Sequence, residues 1–307
     1  MSTEEYDFRS DGKRLSNWGR WGDDDEKGTL NFITADLVRE AGRRVNSGRV
    51  FELSIPLDSN GPPWDGLIKR VDPIHLMSFM PTIGNTMGTM FGSDDYIVMP
   101  LQQATQWDGF AHVGYDDYFY NGMHVSELTW EGASRNGIDK TLPGMVGRGV
   151  LLDFARLHGV DWLEGGYRIG PDEIEAAEKE QGVRVGTGDA LLFRTGWRKK
   201  ALTEGWDGWL AAEPGLTPEC ATWLHHREVA AVASDNHAIE VTPVPGFDLP
   251  LHSILIRDMG MPLGEIFDLE ALADDCAADG QWDFLFSAPP LRIPGAVGSP
   301  ATPIAIK

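Results

Sequence analysis

The sequence predicts an α/β fold, a mixed sheet flanked by helices in a single domain. Three observations predict it. Helix-type and strand-type segments mix along the chain without a strict β-α-β rhythm, which argues against a barrel. Gly and Pro are plentiful, 36 and 19 residues, as suits many short elements joined by tight turns. No break in composition marks a linker, so the 307 residues read as an N-terminal arm, 1–45, and one domain, 46–307.

The elements follow in order. Thr34 caps a helix through Leu37, Val38, Ala41 and Val45, which ends near Gly48. Residues 49–55 alternate as a strand does, and 96–99, 149–154, 190–194, 229–233 and 253–256 are short apolar runs of the kind found in buried strands. Pro171 suits a first helical position, with acidic residues behind it and Gly182 as the stop. Thr217-Pro218-Glu219 opens a helix carrying Trp223, and Asp268 caps one over 269–278 that Gly280 closes. Residues 301–306 read as the last strand.

Composition excludes whole classes of function. Lys and Arg number 26 against 47 Asp and Glu, a net charge of −21. A nucleic-acid binder needs a positive footprint, and an anionic membrane surface repels such a chain. Two cysteines, Cys220 and Cys276, cannot build a disulfide framework or a four-thiolate zinc site. The first residues carry no apolar leader and no run approaches the roughly 18 apolar residues of a span, so the expectation is a soluble, cytoplasmic protein. The run Asp23-Asp24-Asp25-Glu26 reads as a solvated turn.

Chemistry concentrates in 102–112. Gln102, Gln106, Asp108 and His112 occupy even positions, so an extended chain turns them to one face, and Gly109 permits a bend. A helix would align the two Gln but swing Asp108 away. Asp235, His237, His252 and Glu265 form a second polar group downstream. Taken singly, each has a plain reading: turn polarity for the Gln pair, a satisfied structural histidine for His112, a helix-entry carboxylate for Glu265.

Read together, they resemble the cyclase superfamily, which includes bacterial kynurenine formamidase and isatin hydrolase. Its motif H-x-G-T-H-x-D-x-P-x-H meets Q-Q-A-T-Q-W-D-G-F-A-H here, with Thr105, Asp108 and His112 matching and Gln102 and Gln106 standing in place of two histidines. The altered form is similar to the subgroup that includes trans-dienelactone hydrolase. The resemblance runs over nearly the whole chain, from Asn17-Trp18-Gly19 through Gly147–Asp153 and Gly188–Trp197 to His252, Glu265 and Gly298-Ser299-Pro300. It implies a swivelling β/β/α-type fold and a metal-dependent hydrolase that opens a cyclic lactone or amide, or cleaves an arylformamide. It implies Gln102, Gln106 and Asp108 as metal ligands, with His252 and Glu265 closing the site or holding a second ion. His112, His252 and Glu265 become the catalytic residues, with His112 acting near its intrinsic pKa. It also implies a homodimer or homotetramer, with the arm laid over a neighbour.

The two Gln bear on the metal. Imidazole suits zinc, whereas an amide oxygen is harder and weaker and favours manganese. Similarity to the lactone hydrolase points back to zinc. A metal-free site, with amide groups as oxyanion donors, is the third outcome.

Eleven tryptophans stand out. Trp107 faces away from the ligand set in an extended strand, and is read both as a core anchor and as a substrate contact. Trp18, Trp21 and Trp64 read as lining an aromatic pocket, and His237 as facing it. An anionic substrate needs a local cation, for which Arg70, Arg148, Arg194 and Arg257 are candidates. Met77, Met80, Met87 and Met90 read as packing or a pliable pocket wall. Two other readings stand beside hydrolysis: a lyase or dehydratase using His112 and Glu265, and a non-catalytic small-molecule binder.

Overall fold

A computed structural model describes residues 6–64, 70–80, 90–243 and 249–307. One mixed nine-stranded sheet organises it. In chain order its strands are β1 (Val50–Glu52), β2 (Gln106–Asp108), β3 (Val146–Asp153), β4 (Ala190–Arg194), β5 (Ala231–Ser234), β6 (Leu263–Glu265), β7 (Asp283–Ser287), β8 (Gly298–Pro300) and β9 (Ile304–Ile306). Across the sheet they run β1-β9-β7-β3-β4-β5-β6-β2-β8. The four central strands β3 to β6 are parallel, and every pairing outside them is antiparallel.

Parallel strands buried on both faces read as unbroken apolar runs, and β3, β4 and β5 do so. Alternation then divides them. Val150, Leu152, Leu191, Phe193 and Val232 face one core, and Leu151, Leu192, Ala231 and Ala233 face the other. The first core is roofed by α3 (Pro171–Gln181) through Ile174 and Ala177, and by α5 (Cys220–His226) through Ala221 and Leu224. The second is closed by α6 (Glu270–Asp279) through Leu272, Ala273 and Cys276. Between them in sequence, α4 (Trp197–Glu204) follows β4.

The stop signals hold: Gly182 and Gly280 end their helices at φ +66° and +75°, where a side chain is unfavourable. Thr34 caps α2 (Ala35–Gly42) by accepting from Leu37 N at 3.3 Å, though the helix ends six residues before Gly48. Two expectations are corrected. Residues 253–256 are buried but helical: Pro250 opens a turn over Pro250–His252 that continues as a π-helical turn, Ser253–Asp258. A short buried apolar run carries no periodicity that separates strand from helix. Residues 96–98 belong to a strand, but an exposed one: among the described residues Asp94–Val98 pairs only with Ile74–Phe79, in a ribbon outside the main sheet. Met77, Met80 and Met90 are exposed here, while Met87 lies outside the described residues.

The arm lies against its own chain. Phe8 and Leu15 of α1 (Phe8–Leu15) are buried, Asn17 Nδ2 donates to Met259 O at 2.9 Å, and Thr29 N donates to Gly260 O at 2.8 Å. Gly28 has φ +54°, and a Cβ there would meet the Gly260 carbonyl at 1.9 Å. The arm therefore clasps 253–260, directly after His252.

Candidate metal centre

The chemistry-bearing segment is a bend, a strand and a turn. Residues 101–105 bend into β2, and 109–112 turn out of it. In β2, Gln106 sits opposite Glu265 and Asp108 opposite Leu263 on β6, and Asp108 also faces Gly298 on β8. The two-residue period sends Gln106 and Asp108 to one side. Trp107 goes to the other, fully buried, with its ring 5.6 Å from Phe267 and 6.4 Å from Phe286. The substrate-contact reading of Trp107 is thereby corrected: it anchors the strand from behind.

Asp108, His252 and Glu265 each present a ligand atom within 4.8 Å of the others. Their exposures are 1%, 3% and 4%, so the set is shielded from water. Gln106 Nε2 donates to Glu265 Oε2 at 2.6 Å. His252 Nδ1 lies 2.8 Å from Glu240 Oε1 and its Nε2 lies 3.2 Å from Glu265 Oε1. Gln106 Oε1 and Asp108 Oδ1 are buried acceptors with no hydrogen-bond partner among the described residues, and Gln102 Nε2 is a buried donor without one. Orphaned buried acceptors beside two carboxylates are costly unless a cation satisfies them. The donor set of oxygen atoms with one imidazole thus fits a divalent ion, and Glu240 behind His252 is the partner that orients a ligating ring.

The electrostatics agree. Burial, and then the Glu265 charge, push the Asp108 carboxyl well above its ordinary range. Burial works against a charged His252, but Glu240 and Glu265 outweigh it and raise the ring to about 10. The His252 shift marks an excess of negative charge at this point. His112 Nε2 stands 3.6 Å from Asp108 Oδ2, and burial pushes its ring down to about 4. The expectation of an unperturbed pKa for His112 is therefore corrected: it is a neutral imidazole across the physiological range.

Backbone strain sits beside two of the carboxylates. Ile239, before Glu240, and Ile266, after Glu265, both have φ +58°, unfavourable for a β-branched residue. Asn236 holds both. Its Oδ1 accepts from Ile239 N at 3.0 Å, and its carbonyl accepts from Ile266 N at 2.8 Å.

An aromatic wall adjoins the centre. Trp64 Nε1 donates to Gln103 O at 3.2 Å, and the Arg70 guanidinium stacks 3.9 Å above the Trp64 ring while donating to Gln102 O. His237 meets the rings of Trp64 and Trp209 at 5.8 and 5.9 Å. His237 Nδ1 lies 2.6 Å from Glu213 Oε2. Trp18 is placed elsewhere: its Nε1 donates to Arg257 O, and it lines an open surface cleft with Asp23, Asp24 and Arg135. Of the four arginines, Arg148 pairs with Asp189 and Asp283, Arg194 with Asp153 and Glu270, and Arg257 with Asp258. Arg70 alone reaches this centre.

Glu240 and Glu213 escape a reading of the sequence. Each is an isolated carboxylate in an apolar or Pro-rich stretch, and only folding sets it against a histidine.

A family profile described as "Putative cyclase" matches residues 51–241. The structure is similar to that of a novel cyclase, with 39% identity over 96% of this chain and 99% of that one, at a TM-score of 0.90. It is similar in fold to isatin hydrolase A from Labrenzia aggregata bound to benzyl benzoate, with 18% identity, 84% and 93% coverage and a TM-score of 0.62. The same holds for a protein described as a predicted metal-dependent hydrolase from Bacillus stearothermophilus, with 19% identity, 84% and 97% coverage and a TM-score of 0.54. No curated protein matches the chain at a significant level. No helix among the described residues is long and apolar enough to cross a membrane.

Proposed function

The chain belongs to the cyclase family, and from that premise we propose that it is a metal-dependent hydrolase of a small cyclic lactone or amide, or of an arylformamide. The observation that carries the reading is the convergence of Asp108, His252 and Glu265 on one buried point, with the orphaned oxygens of Gln106 and Asp108 beside it. Asp108, His252 and Glu265 would hold the ion, with Gln106 Oε1 as a further oxygen donor. When bound, such an ion acidifies water and polarises a carbonyl. Three oxygens and one imidazole are a hard set, which favours manganese over zinc.

The chain's own groups supply the rest. Glu240 accepts a hydrogen bond from His252 Nδ1 and fixes the ring, whose Nε2 would give up its proton to hold the ion. Gln106 Nε2 fixes the Glu265 carboxylate by holding Oε2. His112, neutral and next to Asp108, is placed to accept a proton from the attacking water and return it to the leaving group. The flanking core, with Trp107 behind the strand, keeps these groups in register.

Dialysis of chelator-treated protein against Mn²⁺ or Zn²⁺, read by elemental analysis, tests the centre. One tightly held ion per chain, lost in Asp108→Asn, is expected, and no retained ion overturns the reading. Product mass tests the reaction, because hydrolysis adds one water whereas a lyase adds none. We place the enzyme in the cytoplasm as a homodimer or homotetramer acting on a small molecule, with neither nucleic acid nor membrane as partner. The exposed apolar ribbon supports the oligomer.

A further inference from the structure

Among the described residues seven non-glycine residues have positive φ, and only two of them, Ile239 and Ile266, are β-branched. A β-branched side chain resists that region, so the conformation persists only where the surroundings impose it. Each of the two is the chain neighbour of a carboxylate that holds the His252 ring, Glu240 at Nδ1 and Glu265 at Nε2. Each is also gripped at both ends of its own backbone. Ile239 N donates to Asn236 Oδ1, and Ile239 O accepts from Leu216 N, both at 3.0 Å. Ile266 N donates to Asn236 O at 2.8 Å, and Ile266 O accepts from Thr105 Oγ1. Asn236 is the residue common to both grips. It is fully buried and itself anchored: Nδ2 donates to Pro214 O at 2.7 Å, and Asp235 before it accepts from Thr195 N, Thr195 Oγ1 and Gly196 N just ahead of α4. Both polar atoms of the Asn236 side chain are engaged in these contacts, which leaves neither for a cation or a substrate.

We propose that Asn236 is a positioning residue of the metal centre: it imposes two strained peptides and so sets Glu240 and Glu265 on the two ring nitrogens of His252. The consequence for a bound ion rests on the metal-centre reading, but the placement of the ring does not. The side-chain amide acts on the Glu240 side and the main-chain carbonyl on the Glu265 side. Glu240 also accepts from the backbone N of Leu251 and of His252, at 3.1 and 2.8 Å, so its position fixes both the ring and the turn that carries it. Removal of Oδ1 leaves Ile239 N without its acceptor, and Ile239 then relaxes toward negative φ and swings the peptide that carries Glu240. A glycine at 239 has no such preference and keeps a positive φ without the clamp. Strain held in this way beside ligating groups is preorganisation, with the cost met by the surrounding fold.

Asn236→Ala, Ile239→Gly and the double variant test this by two readouts. Mn²⁺ affinity, measured by competition with a chelating dye, should fall at least about tenfold in Asn236→Ala, as when the partner of a ligating histidine is lost. In metal-free protein, the downfield imidazole proton that His252 shares with Glu240 should move upfield or broaden away. Adding Ile239→Gly should restore that signal and most of the affinity, even though deleting a buried side chain lowers the melting temperature. A role in stability alone gives the reverse, because the double variant is then the least stable and binds no better than Asn236→Ala. Asn236→Asp, which keeps an oxygen facing Ile239 N, should bind Mn²⁺ at least as tightly as the wild type, and it decides the matter if Asn236→Ala does not fold. Unchanged affinity and ring-proton signal in Asn236→Ala overturn the proposal. So does a loss that Ile239→Gly leaves in place, or a comparable loss in Asn236→Asp. A wild-type chain that holds no Mn²⁺ sinks the metal reading alone, since the ring proton still reports on Asn236.

Discussion

Glu240 is the residue on which the most can be tested with one atom. Replacing it by Gln removes the carboxylate that holds His252 Nδ1 while keeping its shape. Cation affinity should drop about 10- to 100-fold, measured by competition with a chelating dye, and the melting temperature should fall as well, because both Glu240 oxygens accept from the backbone N of Leu251 and His252 and an amide keeps only one acceptor. His112 gives a second test. Its ring is pushed down to about 4, so the folded state binds its proton less readily than the unfolded state, whose value is about 6.5. The stability this contributes is complete above about pH 6.5 and fades as the pH falls toward about 4. Histidine NMR should show no titration of His112 between about pH 5 and 8. A midpoint near the ordinary value would contradict the burial argument. From the sequence, Asp108, Gln106, His252 and Glu265 are legible because motif order preserves them. Glu240, Glu213 and the depressed His112 are not, since desolvation and partnership across the fold leave no local pattern.

At the scale of elements, the fold is most legible where a local signal is strong. The αL glycines at 182 and 280 and the apolar runs of β3 to β5 stand where the residues say they should. Legibility fails at 253–258, where tertiary burial and a proline start decide for a helical turn. The β2–β8 contact shows how tightly the site is built into the sheet. A Cβ on Gly298 would meet Gln102 Nε2 at 2.5 Å and the Trp107 carbonyl at 2.9 Å. Gly298→Ala should therefore cost about 1–3 kcal/mol in denaturant unfolding, as overpacking does, and displace Gln102. Trp107→Ala should cost more, about 3–5 kcal/mol, through the cavity left against Phe267 and Phe286.

For the molecule as a whole, the ribbon is the feature that the packing of the described residues leaves uncovered. Ile74, Leu76, Met77, Tyr96, Ile97 and Val98 are exposed on it, and Phe91 beside it is 69% exposed. Apolar surface gathered in this way marks a contact face. Sedimentation should give at least twice the chain mass, and Ile97→Asp with Tyr96→Lys should return it to one. A wild-type chain that sediments as a monomer would remove the oligomer from the proposal. The other feature of this scale is the arm. Among its described residues it donates no group to the metal centre, yet it braces the turn that begins at His252. Changes at Asn17 or Gly28 would slacken that brace and surface in a mutational screen as lost turnover at residues that touch no ligand atom, so a map of inactive variants drawn on this protein would show a second cluster with no chemistry of its own.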